Sequence, residues 1–400
     1  MVSDLRILAD EAGSLQEQLT AWRRDFHRHP ELAHQEYRTA DVIEKELAKL
    51  GIATERVAQT GVLGILHGDQ EGSHVVALRA DTDALPVQEA DPERPYRSTV
   101  DGVMHACGHD GHTACLLGGA ALLAAHRADF GGEVRFLFQP AEEVGGGAIP
   151  MINAGALGGA ERVFGLHSAS DIPIGTVGLK PGQNNASVDH FTITVTGKSS
   201  HVSTPHLGID ALYIASQIVV AAQALVTRMT SPVEPLILGI GKLNAGTAYN
   251  ALAQTAVLEG TTRAVSVASR ARIRQLLDAT VQNIAAIYGG SATVEWEDFT
   301  SPLENDPHVT AEATAVMEAI YGPGHVKADR ALSLGGDDFA ELILRVPGAY
   351  AYLGTGNPAK PGTQAPHHNG AFDIDEDALP IGAALYAGYA LGWLTETING

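Results

Sequence analysis

The sequence predicts an α/β protein in two parts: a domain built on a mainly parallel sheet, interrupted by an inserted ferredoxin-like α+β domain. Two rhythms lead to this. Outside residues 186–297, short apolar runs alternate with helix-like stretches, as in a parallel sheet covered by helices on both faces. Within 186–297 the order is strand, helix, strand, strand, helix, strand, which is the split ferredoxin-like motif. Length agrees, since 400 residues exceed what one hydrophobic core usually serves. The first domain then comprises 1–185 and 298–400, and the second 186–297.

Taken in order, residues 17–50 read as helix, with Leu19, Trp22, Phe26, Ile43, Leu47 and Leu50 at helical spacings, a break at His29 and Pro30, and Gly51 as the stop. VVALRA (75–80), VRFLFQ (134–139), VFGLH (163–167) and AYAYLG (349–354) read as buried strands. Between the first two lies a helix, CLLGGAALLAAH (115–126), for which Asp110 and Thr113 are candidate N-caps. In the insertion, 190–197, 236–243, 255–262 and 292–296 read as strands, and 208–226 and 269–288 as helices. Because the first domain resumes near residue 298, its C-terminal residues can return to a pocket begun before residue 170.

Composition bounds the function. A hydrophobic fraction of 45% and a charged fraction of 18% are those of a globular protein. The formal charge of -21 argues against nucleic acid as a partner, because that binding depends on Lys and Arg neutralising phosphates. The first 26 residues carry charges in every turn and lack the apolar core of a signal peptide, and no apolar run of membrane-spanning length occurs. A cytoplasmic setting is expected. Cys107 and Cys115 are the only cysteines, too few for a disulfide framework, whereas 17 histidines against 7 lysines direct attention to metal chemistry.

The strongest local signal is HACGHDGHTA (105–114), where Cys107 and His109 stand two apart before a helix. Thiolate and imidazole are good ligands for zinc-like ions, and a helix N-terminus favours the thiolate. The same spacing also suits a buried cysteine beside hydrogen-bonded histidines. Glu142 and Glu143 follow the strand ending at Pro140 and precede a glycine run at 145–147. Adjacent strand residues face opposite ways, so both carboxylates serve one site only if the chain turns there, which Pro and Gly permit. One could then bind metal while the other handles a proton; a solvated loop tip would show the same pair. Asp81, Asp83 and His167 recur at the C-terminal ends of buried strands, where ligand sites form in open parallel sheets. His367 and His368 lie in a turn-rich C-terminal loop.

RADTDALP (79–86), MHACGHDGHTA (104–114), QPAEEVGGGA (139–148), GLHS (165–168), GKSSHVSTPHLGIDA (197–211), GTAYNALAQTAVLEGTTR (246–263), GGDDFA (335–340) and HHNGAFDIDE (367–376) together resemble the co-catalytic metallopeptidase and aminoacylase family. The resemblance is closest to its amidohydrolase branch, which includes hippurate hydrolases, indoleacetyl-amino acid hydrolases and N-acetyl-diaminopimelate deacetylase. It implies two divalent metal ions per subunit, manganese or zinc, with nickel or cobalt as further candidates. The implied ligands are Cys107, His109, Glu143, His167 and His368, with Cys107 bridging the ions. His368 is chosen over His367 because the family's ligand stands four residues before the Phe that is here Phe372; Gly370 replaces the family's Pro. Glu142 is the implied general base and acid, and Asp83 the aspartate that orients a ligand histidine.

The insertion resembles the family's lid and dimerisation module. His201 matches a histidine that stabilises the tetrahedral oxyanion, often in the partner subunit's site, and Asn250 and Arg263 match positions that hold the substrate. Here GTAYNALA replaces the common Asn-Val-Ile-Pro. The implied reaction is hydrolysis of the amide bond of small N-acyl amino acids by a homodimer. A dipeptidase or aminopeptidase of the same family, and a catalytically silent small-molecule binding protein, are the alternatives.

Overall fold

The computed structural model describes residues 4–398. The chain forms two compact units, one from Met1–Gly182, Glu304–Ala331 and Asp338–Gly400, the other from Gln183–Leu303 and Leu332–Asp337.

The first unit opens with α1 (Ile7–Ser14), α2 (Gln16–Arg28), α3 (Tyr37–Lys49), β1 (Ala53–Val57), β2 (Gly61–His67) and β3 (Gln70–Asp81). It continues with α4 (His109–Ala125), β4 (Gly131–Gln139), α5 (Ala148–Asn153), β5 (Arg162–Pro173) and β6 (Val177–Gly178). The chain leaves it through β7 (Gly182–Asn185). The second unit holds β8 (Val188–Thr196), α6 (Ala211–Thr227), β9 (Leu236–Ala245), β10 (Thr255–Ala264), α7 (Val267–Ile287) and β11 (Ser291–Thr300). After β12 (Leu303–Asn305) come α8 (Pro307–Tyr321), β13 (Val326–Lys327), α9 (Phe339–Ile343), β14 (Gly348–Gly356) and α10 (Leu379–Leu394).

The large sheet has the order β1-β2-β4-β3-β5-β14-β6-β13. Its centre, β4, β3, β5 and β14, is parallel as expected, while β1/β2, β2/β4 and β14/β6 are antiparallel, so the sheet is mixed. Leu78 lies opposite Phe136 on one side and Phe164 on the other. Every residue of β14 is buried, which explains its continuous apolar run.

The expected helix over 17–50 is two helices, α2 and α3, parted around Pro30, and Gly51 at φ 71 terminates the second. At α4 the structure corrects the capping expectation. The helix begins at His109, earlier than 115, and its N-cap is Gly108; neither Asp110 nor Thr113 caps it. Asp110 instead accepts bonds from Arg23 and His27, and the Thr113 hydroxyl donates to the Asp81 carbonyl. Tertiary partners took both side chains.

Helices α4 and α10 are buried almost all round, and glycines let them touch: a Cβ on Gly119 would sit 2.8 Å from Tyr386 Cβ, and one on Gly382 2.5 Å from the Cys115 sulfur. Cys115 is thus a packing residue. The β3/β5 ladder ends at Arg79↔Gly165. Just beyond, the Tyr386 hydroxyl donates to the Arg79 carbonyl (2.6 Å) and accepts from Leu166 N–H (3.2 Å), closing the split between the strands.

The second unit's sheet has the order β11-β8-β10-β9, antiparallel throughout, which is the expected ferredoxin-like arrangement. Its core packs Phe191, Ile193 and Val195 of β8 with Ile214 and Ile218 of α6 and Leu277 and Val281 of α7. Asp210 caps α6 by accepting from Leu212 N–H at 3.0 Å. No described helix is long and apolar enough to cross a membrane.

Removing the Tyr386 hydroxyl strands a buried carbonyl and a buried N–H. Tyr386→Phe is therefore expected to destabilise the protein by about 1–3 kcal/mol, read as a lower urea midpoint; an unchanged midpoint would show that the strand ends need no such bridge.

Candidate metal centre

The C-terminal ends of β3 and β4, the middle of β5 and the start of α4 bring the chemistry together. Gly108, at φ 93, takes a left-handed turn that other residues resist. A Cβ there would lie 2.4 Å from the Ser168 hydroxyl, which instead donates to the Cys107 carbonyl (3.0 Å). The loop bearing Cys107 and His109 is thereby laid against β5. After β4, Ala141 (φ 55) and Gly145 (φ 62) bracket a single 3-10 turn, Glu142–Val144. That turn is what lets neighbouring carboxylates face one way: Glu142 and Glu143 approach Nε2 of His109 at 3.9 and 3.7 Å.

Hydrogen bonds fix each imidazole. His109 Nδ1 donates to Asp83 (3.2 Å), turning Nε2 toward the glutamates, and the other Asp83 oxygen accepts from Glu143 N–H (3.0 Å). His167 Nδ1 donates to the Ser168 carbonyl (2.7 Å), which leaves Nε2 facing the Cys107 sulfur at 3.5 Å. His368 Nε2 stands 3.3 Å from Glu143, on a ring 54% exposed. His367, by contrast, is turned toward the Ser168 hydroxyl (3.4 Å) and packs beside His167.

Three overlapping sets result, each with potential ligand atoms within 4.8 Å of one another: Cys107, His109 and His167; Cys107, Glu143 and His368; His109, Glu142 and Glu143. All five ligands expected from the sequence are in these sets, and Cys107 stands in two. A further set, Asp81, His109 and His112, is already satisfied by protein. His112 Nδ1 donates to Asp81 (2.6 Å) and its Nε2 accepts from Ser168 N–H (2.7 Å), while the second Asp81 oxygen pairs with Arg79 (2.7 Å).

The residues fit a bound cation. His109 Nε2 and Glu143 Oε1 are buried with no hydrogen-bond partner among the described residues, and a buried polar atom without one is costly. Burial raises the Cys107 thiol well above its ordinary value, with Glu143 and Glu142 adding to it, and burial lifts Glu143 to about 7. Burial opposes charge on His109, yet Asp81 and Asp83 outweigh it and hold the ring up at about 10. Burial keeps His167 well below its ordinary value, so it stays neutral with a lone pair to give. Crowded acids, a raised thiol and an imidazole in a negative field are what a divalent ion turns into ligands.

The other expected residues lie in the second unit. His201 is exposed, its Nδ1 held by the Ser203 hydroxyl at 2.7 Å. The Asn250 carbonyl accepts from Val202 N–H (3.1 Å), so Asn250 adjoins His201 through the backbone, and its side chain is exposed. Arg263 is partly buried and donates to the Leu334 carbonyl (3.3 Å). These join no metal-ligand set among the described residues.

Sequence reasoning missed the support beneath the centre. Arg79, fully buried, reaches Gln139, Asp81 and Asp338, and Asp338 accepts the first N–H groups of α5, Gly147 (3.2 Å) and Ala148 (3.0 Å). The signal was present: an arginine inside the apolar strand VVALRA must find buried partners.

Residues 77–392 match peptidase family M20/M25/M40. The chain is 40% identical over 383 residues to the N-acetyl-L-cysteine deacetylase of Bacillus subtilis (strain 168), covering 94% of this chain and 89% of the relative. It is 38% identical to thermostable carboxypeptidase 1 of Saccharolobus solfataricus, over 95% and 96% of the two chains. Among solved structures, the Bacillus subtilis YXEP protein, described as a dinuclear metal binding peptidase, superposes with a TM-score of 0.83 at 35% identity, over 96% of this chain and 99% of that one. The chain belongs to peptidase family M20/M25/M40.

Proposed function

We propose that this protein is a metal-dependent amidohydrolase that cleaves small N-acyl amino acids to a carboxylate and a free amino acid. One observation carries the proposal: the Cys107 sulfur belongs to two ligand sets at once, with His109 and His167 and with Glu143 and His368, and Glu142 stands beside them. Those five residues would hold two divalent ions, with Cys107 between them. Thiolate and imidazole suit zinc, and the carboxylate also suits manganese. Bound there, the ions supply Lewis-acid polarisation of the amide carbonyl and make water easier to deprotonate.

The chain's own residues do the rest. Glu142, 6% exposed on the turn after β4, takes the proton of the attacking water and returns it to the leaving amine. Asp83 holds His109 in the tautomer that keeps Nε2 open for a ligand bond. His201 is assigned to the developing oxyanion and Asn250 and Arg263 to the substrate; their support is the family resemblance, together with the exposure of His201 and Asn250.

A homodimer through the second unit is supported by apolar side chains that unit leaves exposed, among them Leu212, Tyr213, Val220 and Tyr249. A cytoplasmic setting is supported by the free thiols of Cys107 and Cys115. Peptide-bond cleavage is the second reading, favoured by the relative named as a carboxypeptidase; the same machinery serves both bonds.

Glu142→Gln is expected to keep its metal and lose turnover by about 100-fold to 10,000-fold; wild-type kcat would remove Glu142 from the reaction. Cys107→Ala should bind fewer than two ions by elemental analysis, and a full complement would refute the bridging role. A panel of N-acetyl, N-benzoyl and indoleacetyl amino acids beside dipeptides, assayed with zinc or manganese, should give higher kcat/KM for the acyl amino acids. Faster dipeptide cleavage would favour the peptidase reading, and no turnover of either class would leave a binding protein.

A further inference from the structure

Outside the ligand sets, the first unit buries a second group of charges. Arg23, on α2, has no exposed side-chain surface. Its guanidinium donates through Nε to Asp110 (2.8 Å), through Nη2 to Asp373 (2.7 Å) and through Nη1 to Glu376 (3.2 Å). Asp110 immediately follows His109, and Asp373 is five residues beyond His368. One planar fork thus spans the two segments that carry ligands from opposite ends of the chain.

The other contacts between and around these segments serve the same end. His368 N–H donates to the Ala106 carbonyl at 2.8 Å, a direct tie between the two loops. Asp110 also accepts from His27 Nδ1 (2.7 Å), and the second Asp373 oxygen accepts from the Tyr96 hydroxyl (2.8 Å). Buried ion pairs are weak sources of stability, since apolar residues of similar size often do as well. What a guanidinium adds is geometry: its planar fork holds separate carboxylates, here Asp110, Asp373 and Glu376, at set distances and angles.

We infer that Arg23 is a positioning residue of the metal centre, setting the spacing between the loop of Cys107 and His109 and the loop of His368. This rests on the metal-dependent reading proposed above. Neither Arg23 nor its carboxylate partners join a ligand set among the described residues, so its effect is on affinity for the ions rather than on ligand identity.

The test is zinc affinity of the stripped full chain, by competition with a chromophoric chelator, with circular dichroism and melting of the metal-free protein alongside. Arg23→Lys keeps the charge without the fork, and Asp373→Asn removes one arm. Arg24→Gln is the control, because Arg24 pairs with Glu376 from the same helix and does not bond Asp110 or Asp373. Arg23→Lys and Asp373→Asn should bind zinc roughly 10-fold to 100-fold more weakly, out of proportion to any change in metal-free melting. Arg24→Gln should match wild type, and Asp373→Glu should recover part of the loss. Wild-type affinity in both test variants overturns the inference, as does an equal loss in Arg24→Gln, which would trace the effect to α2 as a whole. If Arg23→Lys does not fold, Asp373→Asn decides. Wild-type protein that takes up no zinc or manganese overturns the metal reading itself, and this inference with it.

Discussion

The buried acidic pocket around His109 sets the terms for the rest of the first unit. Cys107, Glu142, Glu143, Asp81 and Asp83 are packed close together away from water, an arrangement that mutual repulsion and lost hydration both oppose. Protein groups neutralise part of it. Arg79 and His112 take up Asp81, and His109 and the Glu143 backbone take up Asp83. His109 Nε2 and Glu143 Oε1 are left without a hydrogen-bond partner among the described residues, and burial beside the glutamates raises the nearby Cys107 thiol.

The surrounding backbone is shaped by that need. Left-handed residues at Gly108 and Ala141 place the ligand loops over the sheet's C-terminal edge, and His368 also takes a positive φ of 62 where its loop meets Ala106. A non-glycine in this region costs free energy, and such positions tend to persist where function requires the geometry. Tyr386 closes the gap where β3 and β5 part. The sheet, the turns and the buried ion pairs together hold proposed ligands that are separated by more than 250 positions in sequence.

Much of this is legible in the sequence. Parallel core strands show as apolar runs because both their faces are covered, and the ferredoxin-like order shows because its strands and helices change period cleanly. Cys107, His109, Glu143 and His368 sit in short motifs beside turn formers, and His167 sits within β5, so the proposed site could be read locally and then joined by resemblance. The short flanking strands could not: β6 and β13 are two residues each and pair in parallel with one another, with β6 antiparallel to β14. Nor could the fate of Asp110, which has the composition of a helix cap and is claimed by Arg23 and His27 from 80 or more residues away. Pairings of buried charge are tertiary facts, and a sequence announces the need for a partner without naming it.

Cys107 is proposed to serve two bound ions at once. Crystals grown with zinc, with anomalous difference maps collected on both sides of the zinc absorption edge, test it most directly. Two peaks are expected, each about 2.3 Å from the Cys107 sulfur, one or both also bonded to Glu143 or to His109, His167 and His368. A single peak, or a pair of peaks of which neither touches that sulfur, would contradict it.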